Sequence, residues 1–328
     1  MNDHVNTVLG RLKTDQLGRT LIHEHVLIGM PGWFMDARQP AFKRSEAVKR
    51  VVDAFQELHG HGVRTVLDPC PMDLGRDVEI CAEVSQKTGI NLISTTGAYV
   101  EKMGIPYTLR DMEVEAITES FVKEIEVGVG DTGIRCGAIK VATGENVVSP
   151  YERKILTAAA RASKITGVPL ISHTEKATCG HDQIDIATGE GLTASSLIVG
   201  HSDGRDDPNY QKALAARGSY VGFDRFGLEE GIVPDTVRME NLMQLAKAGH
   251  RDRIMVSHDS VACLKGTAGG LDLDGMLKVY PNWRMTHLFE NIFPQLKLMG
   301  MTDTDIDALV VENPRRYFEQ AAAGCGSH

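Results

Sequence analysis

The sequence predicts an α/β protein, a single-domain (β/α)8 TIM barrel spanning residues 1–328. Three observations carry the prediction. Short apolar runs alternate with amphipathic helical periods, there are eight such runs, and no glycine-rich phosphate turn follows the first. Parallel strands need crossovers, so eight strand–helix units with short links specify a parallel sheet. Eight is also the number that closes the ring. The alternative, an open doubly wound sheet, would ordinarily carry a glycine-rich turn after its first strand.

The eight runs are 20–26, 63–67, 91–95, 136–141, 168–172, 196–200, 219–223 and 253–257. Most are continuous rather than alternating, as expected for strands covered on both faces. Between them lie helical periods. Over 45–59, Ala47, Val48, Val51, Val52, Phe55 and Leu58 share one face, and Gly60 or Gly62 terminates the helix. A second period over 113–127 carries Val114, Ile117, Phe121, Val122 and Ile125. Ser149-Pro150-Tyr151-Glu152 is a capping box with proline at the first helical position, opening a helix that stops near Gly167. A further helix over 237–248 ends at Gly249. Two segments, 173–183 and 260–283, exceed ordinary links. Both follow strand C-termini, where barrel active sites sit.

Composition narrows the function. The 35 basic and 44 acidic residues give a net charge of −9, which argues against a nucleic-acid partner. With 42% hydrophobic and 24% charged residues the chain reads as a soluble globular protein. No apolar run approaches the roughly 20 residues that span a bilayer, so no membrane partner is expected. The N-terminus shows no basic region followed by an apolar one, which points to the cytoplasm. The six cysteines, Cys70, Cys81, Cys136, Cys179, Cys263 and Cys325, form no C-x-x-C pair. Reduced, mostly buried thiols are expected, with one structural disulfide as the alternative.

The chemistry lies at the strand ends. His23 and His25 flank Glu24 near the end of strand one, and residues two apart on a strand face the same side. Both imidazoles therefore point together, with Glu24 turned away. Strand five ends in His173, strand six in His201 and strand eight in Asp259, and strand four carries Lys140. Imidazole and carboxylate are ligands for zinc or a similar divalent ion, and cobalt, iron and manganese tolerate the same donors. Four histidines and an aspartate exceed what one tetrahedral ion with an open position needs, so the count suits two metals. A cationic lysine would repel them. An amine that has reacted with carbon dioxide becomes an anionic carbamate whose two oxygens bridge two cations. A Schiff-base or plain salt-bridge role for Lys140 is the alternative.

These residues resemble the phosphotriesterase family of the amidohydrolase superfamily. The matching stretches are 21–25, 137–141, 172–174, 200–203 and 257–259, within a likeness running from about Gly18 to Phe318. The resemblance implies that His23, His25 and Asp259 hold the more buried metal and His173 and His201 the more exposed one. Carboxylated Lys140 and a hydroxide would bridge the two. Tyr99 after strand three and Arg225 after strand seven look like the lactone-pocket residues of the lactonase branch, with Tyr99 beside the hydroxide. The resemblance thus implies a homodimeric lactonase acting on N-acyl-homoserine lactones, with quorum-signal degradation as its role. The hydroxide would attack the carbonyl while Asp259 carries the proton to the leaving alkoxide. Weak organophosphate hydrolysis is the expected side activity, and a primary phosphotriesterase or other ester hydrolase is the alternative. Segment 282–290 also resembles this branch, whereas 263–280 matches no member's loop. Ordinary readings remain for Tyr99 as a rim aromatic and for Arg225 as a salt bridge to Asp224, Asp203, Asp206 or Asp207. His258 reads as structural, Asp68-Pro69-Cys70 as a turn at the rim, and Asp203–Asp207 as a capping or supporting set. His59, His61, His181, His250, His287 and His328 read as solvated.

Overall fold

In the computed structural model, which describes residues 3–39, 41–229 and 231–323, strands and helices alternate around a barrel. An antiparallel hairpin, β1 (His4–Thr7) and β2 (Gly10–Lys13), precedes it. The first half then runs β3 (Arg19–Leu21), β4 (Glu24–Gly29), α1 (Arg44–Gly60), β5 (Val63–Asp68), α2 (Val78–Thr88), β6 (Asn91–Gly97), α3 (Tyr107–Asp111), α4 (Val114–Glu126) and β7 (Ala138–Thr143). The second runs α5 (Pro150–Thr166), β8 (Leu170–Thr174), α6 (Gly180–Gly189), β9 (Leu197–Val199), α7 (Pro208–Ala216), β10 (Tyr220–Phe223), α8 (Asp235–Leu245), β11 (Ile254–Val256), β12 (Ser260–Lys265) and α9 (Leu273–Val279). The helices α10 (Phe293–Leu298), α11 (Asp303–Asp307) and α12 (Asn313–Ala323) complete the described chain. The parallel order β3-β5-β6-β7-β8-β9-β10-β11 is the sequence order, as in a barrel. Cys325 and His328 lie outside the described residues.

Strands one and eight depart from their predicted runs. The run 20–26 is split, because the chain bends at Ile22-His23 between β3 and β4. Strand eight ends at Val256 and restarts as β12 beyond Asp259, whose φ of 54° is left-handed. The restarted halves pair with each other, Ser260 opposite Glu24 and Val261 opposite His25. Below them the seam is held at His23, whose carbonyl accepts from Asp259 N at 3.0 Å and whose N–H donates to Ser257 Oγ at 3.0 Å. Segment 260–283 is therefore not a loop throughout. It is a barrel-closing strand, a turn and α9.

Local signals explain the helices. Ser149 and Glu152 form the reciprocal capping box at the start of α5, and Gly167 ends it at φ 78°. The predicted 237–248 helix starts earlier, at Asp235, and loosens after Leu245 into a wider turn ending at Gly249, φ 92°.

The barrel interior is divided by height. Leu17, Ile22, Leu67, Ile93, Ile171, Ile198 and Met255 fill its lower half, where Tyr317 and Phe318 of α12 close the bottom. Tyr317 is anchored by donating to the Leu170 carbonyl at 2.6 Å. Polar side chains occupy the upper half. Above them, Leu273, Trp283 and Val261 pack with Tyr99, Leu228 and Met276 as an apolar wall.

Candidate metal centre

Strand ends bring the predicted residues to one rim. His23 sits in the bend between β3 and β4, His25 on β4, Lys140 on β7 and His173 on β8. His201 follows β9, and Asp259 lies between β11 and β12. Lys140 and the four histidines are all buried, and the Asp259 side chain keeps 15% exposure, which leaves an opening toward solvent. His201 (φ 56°) and Asp259 (φ 54°) both hold left-handed backbone, which costs about 1–3 kcal/mol each and turns their side chains inward.

The hydrogen bonds decide which nitrogen each imidazole presents. His23 Nδ1 and His201 Nδ1 each lie 2.8 Å from one oxygen of Asp224, a carboxylate that can only accept. His25 Nδ1 faces Cys70 Sγ at 3.0 Å and Asp68 Oδ1 at 3.7 Å. The Cys70 proton is committed to the Leu27 carbonyl at 2.9 Å, so its sulfur accepts from His25. His23 and His201 are thus protonated at Nδ1 and turn an Nε2 lone pair to the centre, whereas His25 Nε2 meets the Asp259 carboxylate at 3.0 Å and donates to it. His173 is reversed. Its Nε2 points to Glu175 at 3.4 Å, and its Nδ1 faces the Tyr99 hydroxyl at 3.5 Å.

The inward nitrogens meet Asp259 and Lys140. Asp259 Oδ1 lies 3.0 Å from His25 Nε2 and 3.4 Å from His23 Nε2, while its Oδ2 lies 3.7 Å from His201 Nε2. Lys140 Nζ is 3.1 Å from His23 Nε2. Ring centres step along the rim from His25 to His23 (5.5 Å), to His201 (4.7 Å), to His173 (4.6 Å) and to Tyr99 (5.2 Å). That spread exceeds one coordination sphere. Converging lone pairs, an anion and a buried amine with no acid of its own form a donor set that fits divalent cations.

Electrostatics agree. Burial holds His23 and His201 below the ordinary imidazole value, and pulls His173 to about 4, so these rings are neutral and ligand-competent. Burial opposes charge on His25 too, but the carboxylates of Asp259 and Asp68 outweigh it and raise that ring. Burial lowers the Lys140 ammonium to about 8, and the neutral amine is the form that reacts with carbon dioxide. Asp259 is held well below the carboxylate range; burial opposes this, and the hydrogen bond from His25 and the Arg225 guanidinium outweigh it.

A sequence profile of the phosphotriesterase family matches residues 3–318. The chain belongs to the phosphotriesterase family. A phosphotriesterase homology protein of Mycobacterium tuberculosis is 34% identical over 324 residues, covering 96% of this chain and 98% of the relative. An aryldialkylphosphatase of Saccharolobus solfataricus is 32% identical over 312 residues, covering 94% and 96%. A variant of a Deinococcus radiodurans PTE-like lactonase superposes with a TM-score of 0.91 at 33% identity, covering 96% and 99%. Like its family, the protein is a metal-dependent hydrolase.

Within this phosphotriesterase-family site, Tyr99 and Arg225 also reach the rim. Arg225 Nε donates to Asp259 Oδ2 at 3.1 Å, while its backbone N–H donates to Asp203 Oδ2 at 3.1 Å. The side chain therefore pairs with the site carboxylate rather than with Asp224, Asp203, Asp206 or Asp207. The Tyr99 hydroxyl is pushed up by burial and by Asp259, and stays protonated. Its backbone N–H is held by both oxygens of Asp73 at 3.0 Å.

Other expectations divide. His258 is structural: Nδ1 meets Glu24 at 2.6 Å and Nε2 accepts from Leu288 N at 3.0 Å. In the acidic cluster, Asp207 caps α7 and Asp206 accepts from Asn241. His59 is exposed and His61, His181 and His250 half-buried, but His287 is buried, 2.8 Å from Asp235, and is not solvated. Asp68-Pro69-Cys70 forms the expected turn after β5, in which Cys70 N donates to Asp68 Oδ1 at 3.1 Å, and Asp68 and Cys70 are buried behind His25. Asp224 was visible in sequence only as a neighbour of Arg225. Nothing in a one-dimensional pattern marks a carboxylate that serves two distant histidines.

Proposed function

We propose that this protein is a binuclear-metal lactonase that opens N-acyl-homoserine lactones or related aliphatic lactones, with weak phosphotriester hydrolysis as a side activity. The observation that carries the reading is the pairing of Tyr99 against His173 with Arg225 on Asp259, beneath an apolar wall. In this reading His23, His25 and Asp259 would hold one cation and His173 and His201 the other, with Lys140, as a carbamate, supplying the anionic group that serves both. Such cations supply an activated water and polarise the reacting carbonyl or phosphoryl oxygen. Zinc is the expected metal, with cobalt, iron and manganese accommodated by the same donors.

The protein's own groups do the rest. Asp259 takes the proton of the attacking water and delivers it to the alkoxide as the ring opens. Arg225 fixes the carboxylate for that transfer. The protonated Tyr99 hydroxyl offers a hydrogen bond to the oxygen on which charge develops, the kind of term that dominates acyl transfer. The wall of Leu228, Met276 and Trp283 excludes water and gives an acyl chain an apolar surface. The product is a hydroxy acid, and loss of the intact lactone would silence a quorum signal.

A primary phosphotriesterase is the second reading, favoured by the aryldialkylphosphatase relative. Kinetics on an N-acyl-homoserine lactone and an aryl phosphotriester, with elemental analysis of the same preparation, separates the two. A much higher kcat/KM for the triester would overturn the lactonase reading. Lys140→Ala is expected to lose metal and activity, with partial recovery by a small carboxylate, and retention of both would refute the bridge.

A cytoplasmic location and a homodimer belong to the same proposal. Among the described residues, Cys70, Cys81, Cys136, Cys179 and Cys263 are unpaired thiols, which suits a reducing compartment. No helix among the described residues is long and apolar enough to cross a membrane. Exposed Phe34 and Tyr107, 73% and 72% accessible, give the rim loops apolar surface for a second subunit, and light scattering would read the mass.

A further inference from the structure

One buried cation has no part in the chemistry above. Arg238 on α8 is fully inaccessible to solvent. Its Nη1 donates to Asp235 Oδ1 at 2.8 Å and its Nη2 to the Leu228 carbonyl at 2.9 Å. Its Nε lies 3.1 Å from Asp203 Oδ2, an ion pair bent too far to be a hydrogen bond. Removing a guanidinium from water is costly unless paired charges and hydrogen bonds compensate. Here the compensating groups are themselves anchors for the rim.

Each carboxylate that Arg238 grips holds a different piece of backbone. Asp203, two residues after His201, accepts the N–H of Arg225 at 3.1 Å. Asp235 accepts the N–H of Gly227 at 3.0 and 3.1 Å and meets His287 Nε2 at 2.8 Å. The loop over 224–229 and the return segment 282–287 also press together: a Cβ on Gly227, φ 87°, would lie 2.2 Å from the Asn282 carbonyl oxygen. One guanidinium therefore ties the turn after β9, the loop after β10 and the return segment into a unit. The Arg225 side chain projects from that unit onto Asp259.

We propose that Arg238 is a positioning residue for hydrolysis: through Asp203 and Asp235 it sets where Arg225 stands on Asp259 and holds the return segment against it. The inference rests on the reading of Arg225 as a residue of the reacting site. Because Arg238 acts through Arg225, its loss adds nothing once Arg225 is gone.

The test is a double-mutant cycle of Arg238→Lys with Arg225→Ala, read as kcat and KM on a lactone and an aryl phosphotriester, with metal content of each variant. Arg238→Lys is expected to lower kcat/KM about tenfold at unchanged metal content, and the double variant to match Arg225→Ala alone. Losses that multiply in the double variant would overturn the proposal, as would loss of metal that accounts for the lost rate. A second arm needs no turnover and so stands even if neither substrate is cleaved. The chain has two tryptophans, so Trp33→Phe leaves Trp283 as sole reporter of the return segment. In that background Arg238→Lys is expected to red-shift emission and to raise acrylamide quenching about twofold, and unchanged emission and quenching would overturn the coupling. If Arg238→Lys does not fold, Asp203→Ala removes the link to Arg225 alone and must show the same non-additivity.

Discussion

Asp224 illustrates how much of this site is set by a residue that touches no substrate. Its two oxygens fix the tautomers of His23 and His201, one from each half of the donor set. Asparagine at this position offers a single acceptor oxygen, so one ring is released to flip. Asp224→Asn is expected to weaken metal binding by about 10–100-fold, as losses of such partners generally do, and competition with a calibrated chelator measures it. Asp73 gives a second prediction, in stability. Burial raises its carboxyl from 3.8 to about 6, so the folded protein binds this proton more tightly than the unfolded chain does. The contribution is fully present below pH 3.8 and is lost as pH rises through 6. Asp73→Asn removes the titration. The stability of the variant relative to wild type should therefore climb by roughly 3 kcal/mol between pH 4 and 7, read by urea unfolding at each pH. A flat difference would mean that Asp73 titrates normally. The six ligand-type residues were legible because each lies on or just after one of the predicted strand runs. Asp224, Asp73, Cys70 and Arg238 were not, since their roles depend on partners brought close only by closing the ring.

Elements were legible where local chemistry sets their limits. The α5 capping box could be read because serine and glutamate three apart satisfy each other whatever the surroundings. In the fold that box also does distant work. Glu152 accepts from Ser149 N at 3.1 Å and from Gly144 N, just past β7, at 3.0 Å. Ser149→Ala should cost about 1 kcal/mol, the usual loss for a cap. Glu152→Ala should cost more, about 2 kcal/mol, because the part-buried amides of Ser149 and Gly144 both lose their acceptor. Equal losses in denaturant titrations would show that the contact at Gly144 carries no stability. The segment 260–283 misled for the opposite reason. Its glycines at 266, 269, 270 and 275 signal turns, and eight strands had already been counted before Ser260. Only pairing with β4 makes 260–265 a strand, and pairing is a property of the closed barrel.

At the scale of the molecule, the barrel is closed by the same residues that build its site. Strands one and eight both break at the rim, and their register is carried across the break by side chains. Glu24, turned away from the centre as its place between two inward histidines requires, accepts from Ser257 Oγ at 2.8 Å, His258 N at 2.9 Å and Ser260 N at 3.1 Å. On the inner side of the same seam, His23 and His25 face Asp259 across it. A cation shared by these three would bind strand one to strand eight, so metal affinity and barrel closure are one linked equilibrium. Ligand at a hundred times its dissociation constant stabilises the folded state by about 2.7 kcal/mol, and chelation withdraws that contribution. The loss should not be uniform. Amides of β4 and β12 should gain exchange rate on chelation well before those of β6, β7 and β8, which hydrogen-bond to strands on both sides without help from the site. Glu24→Gln should produce the same local pattern with metal still bound, because it loosens the outer clasp alone. Hydrogen exchange read peptide by peptide distinguishes the cases, and equal protection loss around the whole ring after chelation would mean that the cations do not hold the seam.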